Sequence, residues 1–528
     1  MKILSRKQLK QELEKPNGPM LLADDPNINK NLLMKEASSL FIEEGLASAL
    51  LVRLSKSRSL LLQMSTDAAL LNAIRASLKN ESPKLRRNAA RLLGNLSREN
   101  ADAELLIEAL NAEDTRFVKP SMLLALGAVG GDAAQEFLNG YTVMPAADES
   151  ETKHYNEECE ALKQARTAAI KHEKHNFRSL DKIYEIELSA PDRLTEQLKG
   201  EIEDLGIDCY DIRRNSLKIK TDDYPVLFEA RCFSEALFTV ASDLDMKAEN
   251  IIQDIAAQAK AFMLPFMKNT HDGNPPYRYR IEISGNDNGD IENMTEFKKQ
   301  LRDFIDCDEL INAPSDYEIE IRLALSSGRA RLYMKLLTVR DERFRYRVAA
   351  IPAAINPSTA AAILRFASEY LTVNARVIDP CCGSGTLLIE RGLISPCASL
   401  TGVDIAHKAI DAARRNADAA ALKMGVKQAK FIANDILRFE CRRPYDELIC
   451  NLPFGNRVGN HSTCEKLYAG LLDRLPLLVK KGGIALLYTM EFTLLKKLIR
   501  GHKNLELLKQ ERTESGGLTP MIFILRVN

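Results

Sequence analysis

The chain has 528 residues, 45% of them hydrophobic and 28% charged, with no tryptophan. That composition excludes a wholly disordered or fibrous protein, and the length exceeds what one hydrophobic core supports, so about three domains are expected. The 73 Lys and Arg balance 73 Asp and Glu, which excludes a histone-like polycation and requires any nucleic-acid contact to come from a local basic surface.

Residues 1–16 alternate Lys and Glu with scattered Leu and lack the apolar run of a secretory signal or a membrane span. No membrane association and a cytoplasmic location are therefore expected. The ten cysteines, among them Cys159, Cys209, Cys307, Cys381 and Cys382, show no Cys-x-x-Cys pairing with matching histidines. Reduced thiols are expected rather than a metal site or a disulfide framework.

Residues 31–141 read as helix after helix, rich in Leu and Ala, with Gly, Asn and Pro between the periodic runs. Aligning Leu93-Gly94 with Leu126-Gly127 also superimposes Leu85 on Val118, Arg86 on Lys119, Ala90 on Leu123 and Leu96 on Val129, a period of about 33 residues. A unit that short cannot bury its apolar face alone, so residues 1–145 are expected to stack as HEAT-like helical hairpins. An ordinary helical bundle is the alternative. The acids and lysines of 146–180 predict a charged linker and connecting helix.

From 181 the period changes. Strands are expected over 183–188, 216–220, 277–284, 317–325 and 330–337, and helices over 193–205, 251–267 and 294–305, giving an α+β region at 181–342. Residues 343–528 then alternate strand and helix, with strands over 375–379, 399–404, 429–433, 447–450, 484–489 and 521–527. This order predicts a mostly parallel sheet covered by helices on both faces.

Four elements of this last region carry chemistry. Val377-Ile378-Asp379-Pro380-Cys381-Cys382-Gly383-Ser384-Gly385-Thr386 is a buried strand running through a two-glycine loop into a helix, an arrangement that lets backbone amides approach a ligand. It lacks the Gly-Lys-Ser/Thr ending of a phosphate loop and the third glycine of a dinucleotide fingerprint. A second strand ends in Asp404-Ile405, about 20 residues on, where an acid can accept hydrogen bonds from ribose hydroxyls. A third ends in Asp435-Ile436, suited to the exocyclic amine of an adenine; singly, each acid could equally be a helix cap.

The fourth element, Cys450-Asn451-Leu452-Pro453-Phe454-Gly455, places an amide, a proline and an aromatic just past a buried strand. Amines on aromatic rings are poor nucleophiles because their lone pair is delocalised. The Asn451 side-chain oxygen and the backbone carbonyl beside Pro453 can accept the amine's hydrogens and favour a pyramidal nitrogen, while Phe454 stacks on the ring. A strand followed by a proline turn is the alternative.

Together these elements look like a class I methyltransferase. The segment from Asp379 to Thr386 resembles the first motif of THUMP-containing RNA guanine methyltransferases. Asn451-Leu452-Pro453-Phe454-Gly455 resembles the fourth motif of enzymes that methylate exocyclic amines, with Leu452 where many members have proline, as in several tRNA members of the THUMP group. Tyr346-Arg347-Val348 and Pro352-Ala353-Ala354-Ile355-Asn356-Pro357 resemble the segment that leads into that family's catalytic domain over the cofactor pocket.

The resemblance implies a Rossmann-like α/β domain over 343–528, a ferredoxin-like and THUMP-like region before it, and S-adenosyl-L-methionine as cofactor. Asp379, Pro380, Cys381, Gly383, Ser384, Gly385 and Thr386 would hold the methionine end, Asp404 and Ile405 the ribose, Asp435 and Ile436 the adenine. Asn451, also beside the cofactor, would act with Pro453 and Phe454 on the target base, the 2-amino group of a guanosine in RNA, tRNA first. The alternatives are another planar amine, in ribosomal RNA, DNA adenine or protein glutamine, or an inactive RNA-binding scaffold. The helical repeats lie outside the family pattern and are an added module, a possible surface for a protein partner.

Arg343-Phe344-Arg345-Tyr346-Arg347 alternates, so an extended chain would face three guanidinium groups to one side; with Arg329, Arg331, Lys335 and Arg340 nearby it is the candidate phosphate track. A solvated strand face is the alternative. Arg86, Arg87 and Arg91 read as a solvated helix face. A thiolate mechanism through Cys381 or Cys382 is disfavoured by their place in the cofactor loop, and through Cys450 by its buried strand. His407 and His461 have no spaced partner, although His461 lies in a 455–464 loop that could close over a base.

Overall fold

The computed structural model describes residues 4–146, 148–169, 174–286, 291–313, 315–352, 354–454, 461–514 and 517–528. Of the 455–464 loop expected to close over a base, residues 455–460 lie outside them, and 461–464 are the first turn of helix His461–Leu478. The chain divides into two compact units, Met1–Lys174 and His175–Asn528. Among the described residues the first unit is helical throughout, and no helix in either unit is long and apolar enough to cross a membrane.

In the first unit the two glycines superimposed by the 33-residue alignment make the same kind of contact. A Cβ on Gly94, in helix Pro83–Leu96, would lie 2.7 Å from Ala125 Cα in helix Lys119–Val129. A Cβ on Gly127, in that second helix, would lie 2.6 Å from Ala165 Cα in helix Thr152–Ala169. At each place a missing side chain lets alternate helices close together, with one α-helix between them in the chain.

The second unit holds two sheets. The first contains β1 (Tyr184–Ser189), β2 (Cys209–Tyr210), β3 (Ser216–Thr221), β4 (Glu235–Asp245), β5 (Tyr277–Asn286), β6 (Leu310–Asn312), β7 (Ile319–Ser326) and β8 (Arg329–Leu336). Its order is β2-β3-β1-β4-β8-β7-β5-β6, with β4 antiparallel to β8 joining the two halves. The 11-residue β4 is absent from the sequence reading. Its register shifts between Thr239 and Ala241 and again between Ala241 and Leu244, and such bulges break the two-residue alternation by which a strand is recognised.

The second sheet contains β9 (Ala375–Asp379), β10 (Cys397–Asp404), β11 (Lys430–Ala433), β12 (Tyr445–Asn451), β13 (Val479–Thr489), β14 (Leu505–Arg512) and β15 (Met521–Val527), in the order β11-β10-β9-β12-β13-β15-β14. The first five are parallel, and β15 runs antiparallel between β13 and β14. Side chains alternate between two separate cores. Ile378, Leu448, Cys450, Ala485 and Leu487 pack in one with Tyr468 and Leu495; Val377, Ile449, Leu486 and Tyr488 pack in the other with Ile363, Leu388 and Ile410. Helices therefore cover both faces, as period-two strands in a parallel sheet require. The sequence reading also lacks β14, an edge strand whose Glu506, Gln510 and Arg512 face solvent and mask its pattern.

After β9 the chain builds β10 and β11 on one side, then returns to β12 on the other. That reversal is the switch point of an open α/β sheet, where a crevice forms outside the carboxyl ends of the strands.

Residues 343–347 depart from expectation. They form a turn, with Arg347 N bonded to Phe344 O at 3.0 Å. Arg343 is 4% exposed: its guanidinium lies 3.6 Å from the Phe233 ring centre and donates to Asp341 at 2.7 and 2.9 Å and to the Phe233 carbonyl at 2.9 Å. It is an internal clamp and cannot meet an RNA phosphate; Arg345 and Arg347 remain exposed. The neighbouring cations are paired as well: Arg329 with Asp243, Arg331 with Glu187, Lys335 with Glu235 and Arg340 with Glu342. Acids on β1 and β4, and Glu342 in the case of Arg340, thus answer the charges that looked unopposed along the chain.

The two sheets are latched by one buried ion pair. Arg231, just before β4, donates to both carboxylate oxygens of Glu390 at 2.8 Å, and the Tyr346 hydroxyl adds a bond at 2.6 Å. Glu390 sits on helix Thr386–Ile394, which begins at the glycine loop.

Candidate active site

The loop between β9 and helix Thr386–Ile394 turns through Gly383 and Gly385, at φ +53° and +79°. Only glycine takes these conformations without strain. Cys382 N donates to Val403 O at 2.9 Å and Gly383 N to Asp404 Oδ2 at 2.9 Å, which ties the loop to the end of β10. The second Asp404 oxygen accepts from Ala406 N at 2.9 Å. Ser384 and Thr386 are buried, their hydroxyls 3.3 Å apart.

Asp379, at the end of β9, is 1% exposed and accepts from Cys381 N at 3.1 Å. Burial pushes its carboxyl up to about 8, opposed by that amide bond and reinforced by the negative charge of Asp404. It shapes the loop from beneath. Burial also pushes the thiols of Cys382 and Cys450 well up, so neither offers a thiolate.

Ile405 is 75% exposed beside Asp404, an open apolar side chain at the crevice. Asp435 accepts from Leu437 N at 2.9 Å and so caps its own turn, and Ile436 is 3% exposed within the core, leaving only its backbone to a ligand.

At the end of β12, Asn451 Oδ1 is buried and has no hydrogen-bond partner among the described residues. A buried acceptor left unmade costs about 1–3 kcal/mol, so a donor brought to this oxygen would be stabilised. The Pro453 carbonyl, in contrast, is taken: it accepts the Tyr468 hydroxyl at 2.7 Å and the Cys464 thiol at 3.5 Å. Glu491 N, Thr489 Oγ1 and Tyr468 Oη form a directional chain ending on that carbonyl, at 2.9, 2.6 and 2.7 Å. Phe454 is half-buried, edge-on to Tyr488 at 6.0 Å.

The sequence reading missed Asn416. This residue is 0% exposed on helix His407–Met424; it accepts from Ala349 N at 2.8 Å and donates to Ala349 O at 2.9 Å and to Ser384 O at 3.0 Å. Ile351 lies 3.5 Å from where a Gly383 Cβ would stand. Asn416 therefore holds the segment around Ala349 down onto the glycine loop. The signal was present: an asparagine on the stripe Ala409, Ala412, Ala413, Ala417, Ala420 is a polar residue at a core position.

The model of the RMKL-like methyltransferase domain family matches residues 344–520. These residues form an RMKL-like methyltransferase domain. Outside the domain the chain has its own helical unit and first sheet. A tRNA (guanine(6)-N2)-methyltransferase of Thermus thermophilus is 29% identical over 209 residues, which are 39% of this chain and 60% of that protein. The chain thus spans about three fifths of the length of this curated relative. The crystal structure of TrmN from Thermus thermophilus superimposes with a TM-score of 0.52 at 20% identity, over 66% of this chain and all of that one. SMU.472, solved with SAH, gives 0.52 at 17% identity over 66% of this chain and 99% of its own. At these identities the two structures show a shared fold over about two thirds of this chain.

Proposed function

We propose that the protein transfers a methyl group from S-adenosyl-L-methionine to the exocyclic 2-amino group of a guanosine in RNA, with tRNA as the substrate class. The observation that carries this reading is the orphaned Asn451 Oδ1 at the switch point. An acceptor with no partner among the described residues, in a domain that also holds the glycine loop and Asp404, suits a donor amine.

The residues fit the cofactor. The backbone from Pro380 to Thr386 cradles the methionine end, positioned by Asp379. Asp404 is fixed by two backbone amides and keeps lone pairs for the ribose hydroxyls, with Ile405 beside it and Asp435 near the adenine amine. When bound, the cofactor supplies an electrophilic methyl on a sulfonium. Asn451 Oδ1 and the Leu452 carbonyl would accept the hydrogens of the target nitrogen as its lone pair forms the new N–C bond and the S–C bond of the sulfonium breaks to leave a neutral thioether; they would stabilise the positive charge that develops on nitrogen until its extra proton passes to solvent. Phe454 stacks on the base, which must leave its helix because duplex pairing hides the 2-amino group. The region 181–342 is assigned, as THUMP-like, to holding the RNA. DNA adenine and protein glutamine are disfavoured by the RNA substrate in the relative's name.

Incubation with labelled S-adenosylmethionine and bulk RNA, followed by digestion to nucleosides, tests the proposal. N2-methylguanosine in the tRNA fraction is expected. Label confined to ribosomal RNA, to adenine or to protein would replace the substrate, and no transfer to any acceptor would leave the scaffold reading.

A further inference from the structure

The N-terminal unit has no place in the chemistry above, yet it carries a charge arrangement that its described residues do not answer. Arg87 and Arg91 lie one turn apart on helix Pro83–Leu96, and Arg53 lies on helix Ser48–Leu54. The two helices run side by side: Asn88 donates to Ser48 Oγ at 3.0 Å and Asn95 to Ser55 Oγ at 2.9 Å. Arg91 falls between those two asparagines on the same ridge. On the opposite flank, Arg87 Nε reaches Ser121 Oγ on helix Lys119–Val129 at 3.4 Å.

All three arginines are exposed. None of them pairs with an acid among the described residues, although the unit has as many acids as its folding needs elsewhere. Glu43 and Glu44 are held by Arg6 and Lys10, Glu99 and Asp102 by Arg75, Glu113 by Arg86, and Glu151 and Glu158 by Arg116. Partial burial, and the positive charges of Arg87 and Arg53, lower the proton affinity of Arg91. Like charges gathered without an acid repel one another, and an external anion would relieve that repulsion. The spacing along a ridge between two helices suits a repeating anion better than a single one.

We infer that Arg53, Arg87 and Arg91 form a docking surface for the phosphodiester backbone of RNA. The inference rests on the reading of RNA as substrate and gives the added helical unit a role in holding it. Guanidinium groups match phosphate oxygens in planar, bidentate fashion, and contacts to phosphate position the RNA without reading its sequence.

The test uses the full-length protein with Arg53→Gln, Arg87→Gln and Arg91→Gln combined, and measures binding of tRNA across a salt series. Because the side chains are exposed, the thermal unfolding profile should not change. S-adenosylmethionine affinity should also hold. The expected result is tRNA affinity lower by roughly tenfold or more at low salt, and a log–log salt slope shallower by about 2 to 3, one phosphate contact per arginine. Equal tRNA affinity and equal slope in the variant overturn the surface while leaving the methyl-transfer reading intact. Lost tRNA binding in the variant, when the wild-type protein binds tRNA but methylates no RNA, sustains the surface and sinks the proposed function. Poly-glutamate that competes with tRNA at equal charge concentration would make the surface a site for acidic protein and overturn the RNA assignment.

Discussion

Asn416 donates to the carbonyl of Ser384 across 3.0 Å, and through the same buried amide it grips both backbone groups of Ala349. One side chain thereby sets the distance between the glycine loop and the segment that crosses it. Asn416→Ala leaves one donor and two acceptors of the backbone without their partner, each costing about 1–3 kcal/mol if it stays dry. The loop should loosen, and S-adenosylmethionine affinity should fall by roughly tenfold, measured by titration calorimetry. Wild-type affinity in a folded variant would show that the loop holds its shape unaided.

Asp379 gives the protein a pH dependence of defined sign. Burial raises its carboxyl to about 8 in the folded chain, against an ordinary value of 3.8. Between those values the folded state binds the extra proton, so stability falls as pH rises. Asp379→Asn keeps an acceptor for Cys381 N and removes the titration. Its melting temperature relative to wild type should climb from pH 5 to pH 8. A constant difference would mean that Asp379 is ionised throughout.

The Arg231 and Glu390 pair predicts a different failure. Glu390 is fully buried, and removing its bidentate partner strands a carboxylate. Arg231→Ala should destabilise the second unit by about 3–5 kcal/mol. Chemical denaturation reads this directly; a loss under about 1 kcal/mol, the scale of a surface pair, would indicate that water reaches Glu390.

The strands of the methyltransferase domain were legible because two buried faces and strand-ending acids leave a local signature. β9 and β15 were read to the residue, and the loop with Gly383 and Gly385 lies where its glycines demanded. What escaped depended on distant partners. Arg343 was read from alternation alone, but Asp341 and the Phe233 ring pull it inside. Asn416 stands out in the sequence only as a polar residue on an apolar stripe, and its role appears when Ala349 and Ser384 come to it from 67 and 32 residues away. β4 and β14 were hidden by bulges and by solvent-facing charges.

Asp404 accepts from Gly383 N and Ala406 N and is proposed to meet the ribose. Asp404→Ala should weaken S-adenosylmethionine binding by about 1.5–3 kcal/mol, the scale of hydrogen bonds to a charged acceptor. Asp404→Asn should recover part of the loss. An unchanged dissociation constant in both variants would remove Asp404 from the site.

The most direct test of the whole account is the single-turnover rate of Asn451→Ala at saturating cofactor and tRNA, read as N2-methylguanosine formed. Loss of the orphan acceptor should depress the rate by about 100-fold or more, the scale of one transition-state hydrogen bond, with S-adenosylmethionine affinity barely changed. A variant that forms N2-methylguanosine at the wild-type rate would contradict the amine-acceptor role, and Asn451 would be only the last residue of a strand before a proline turn.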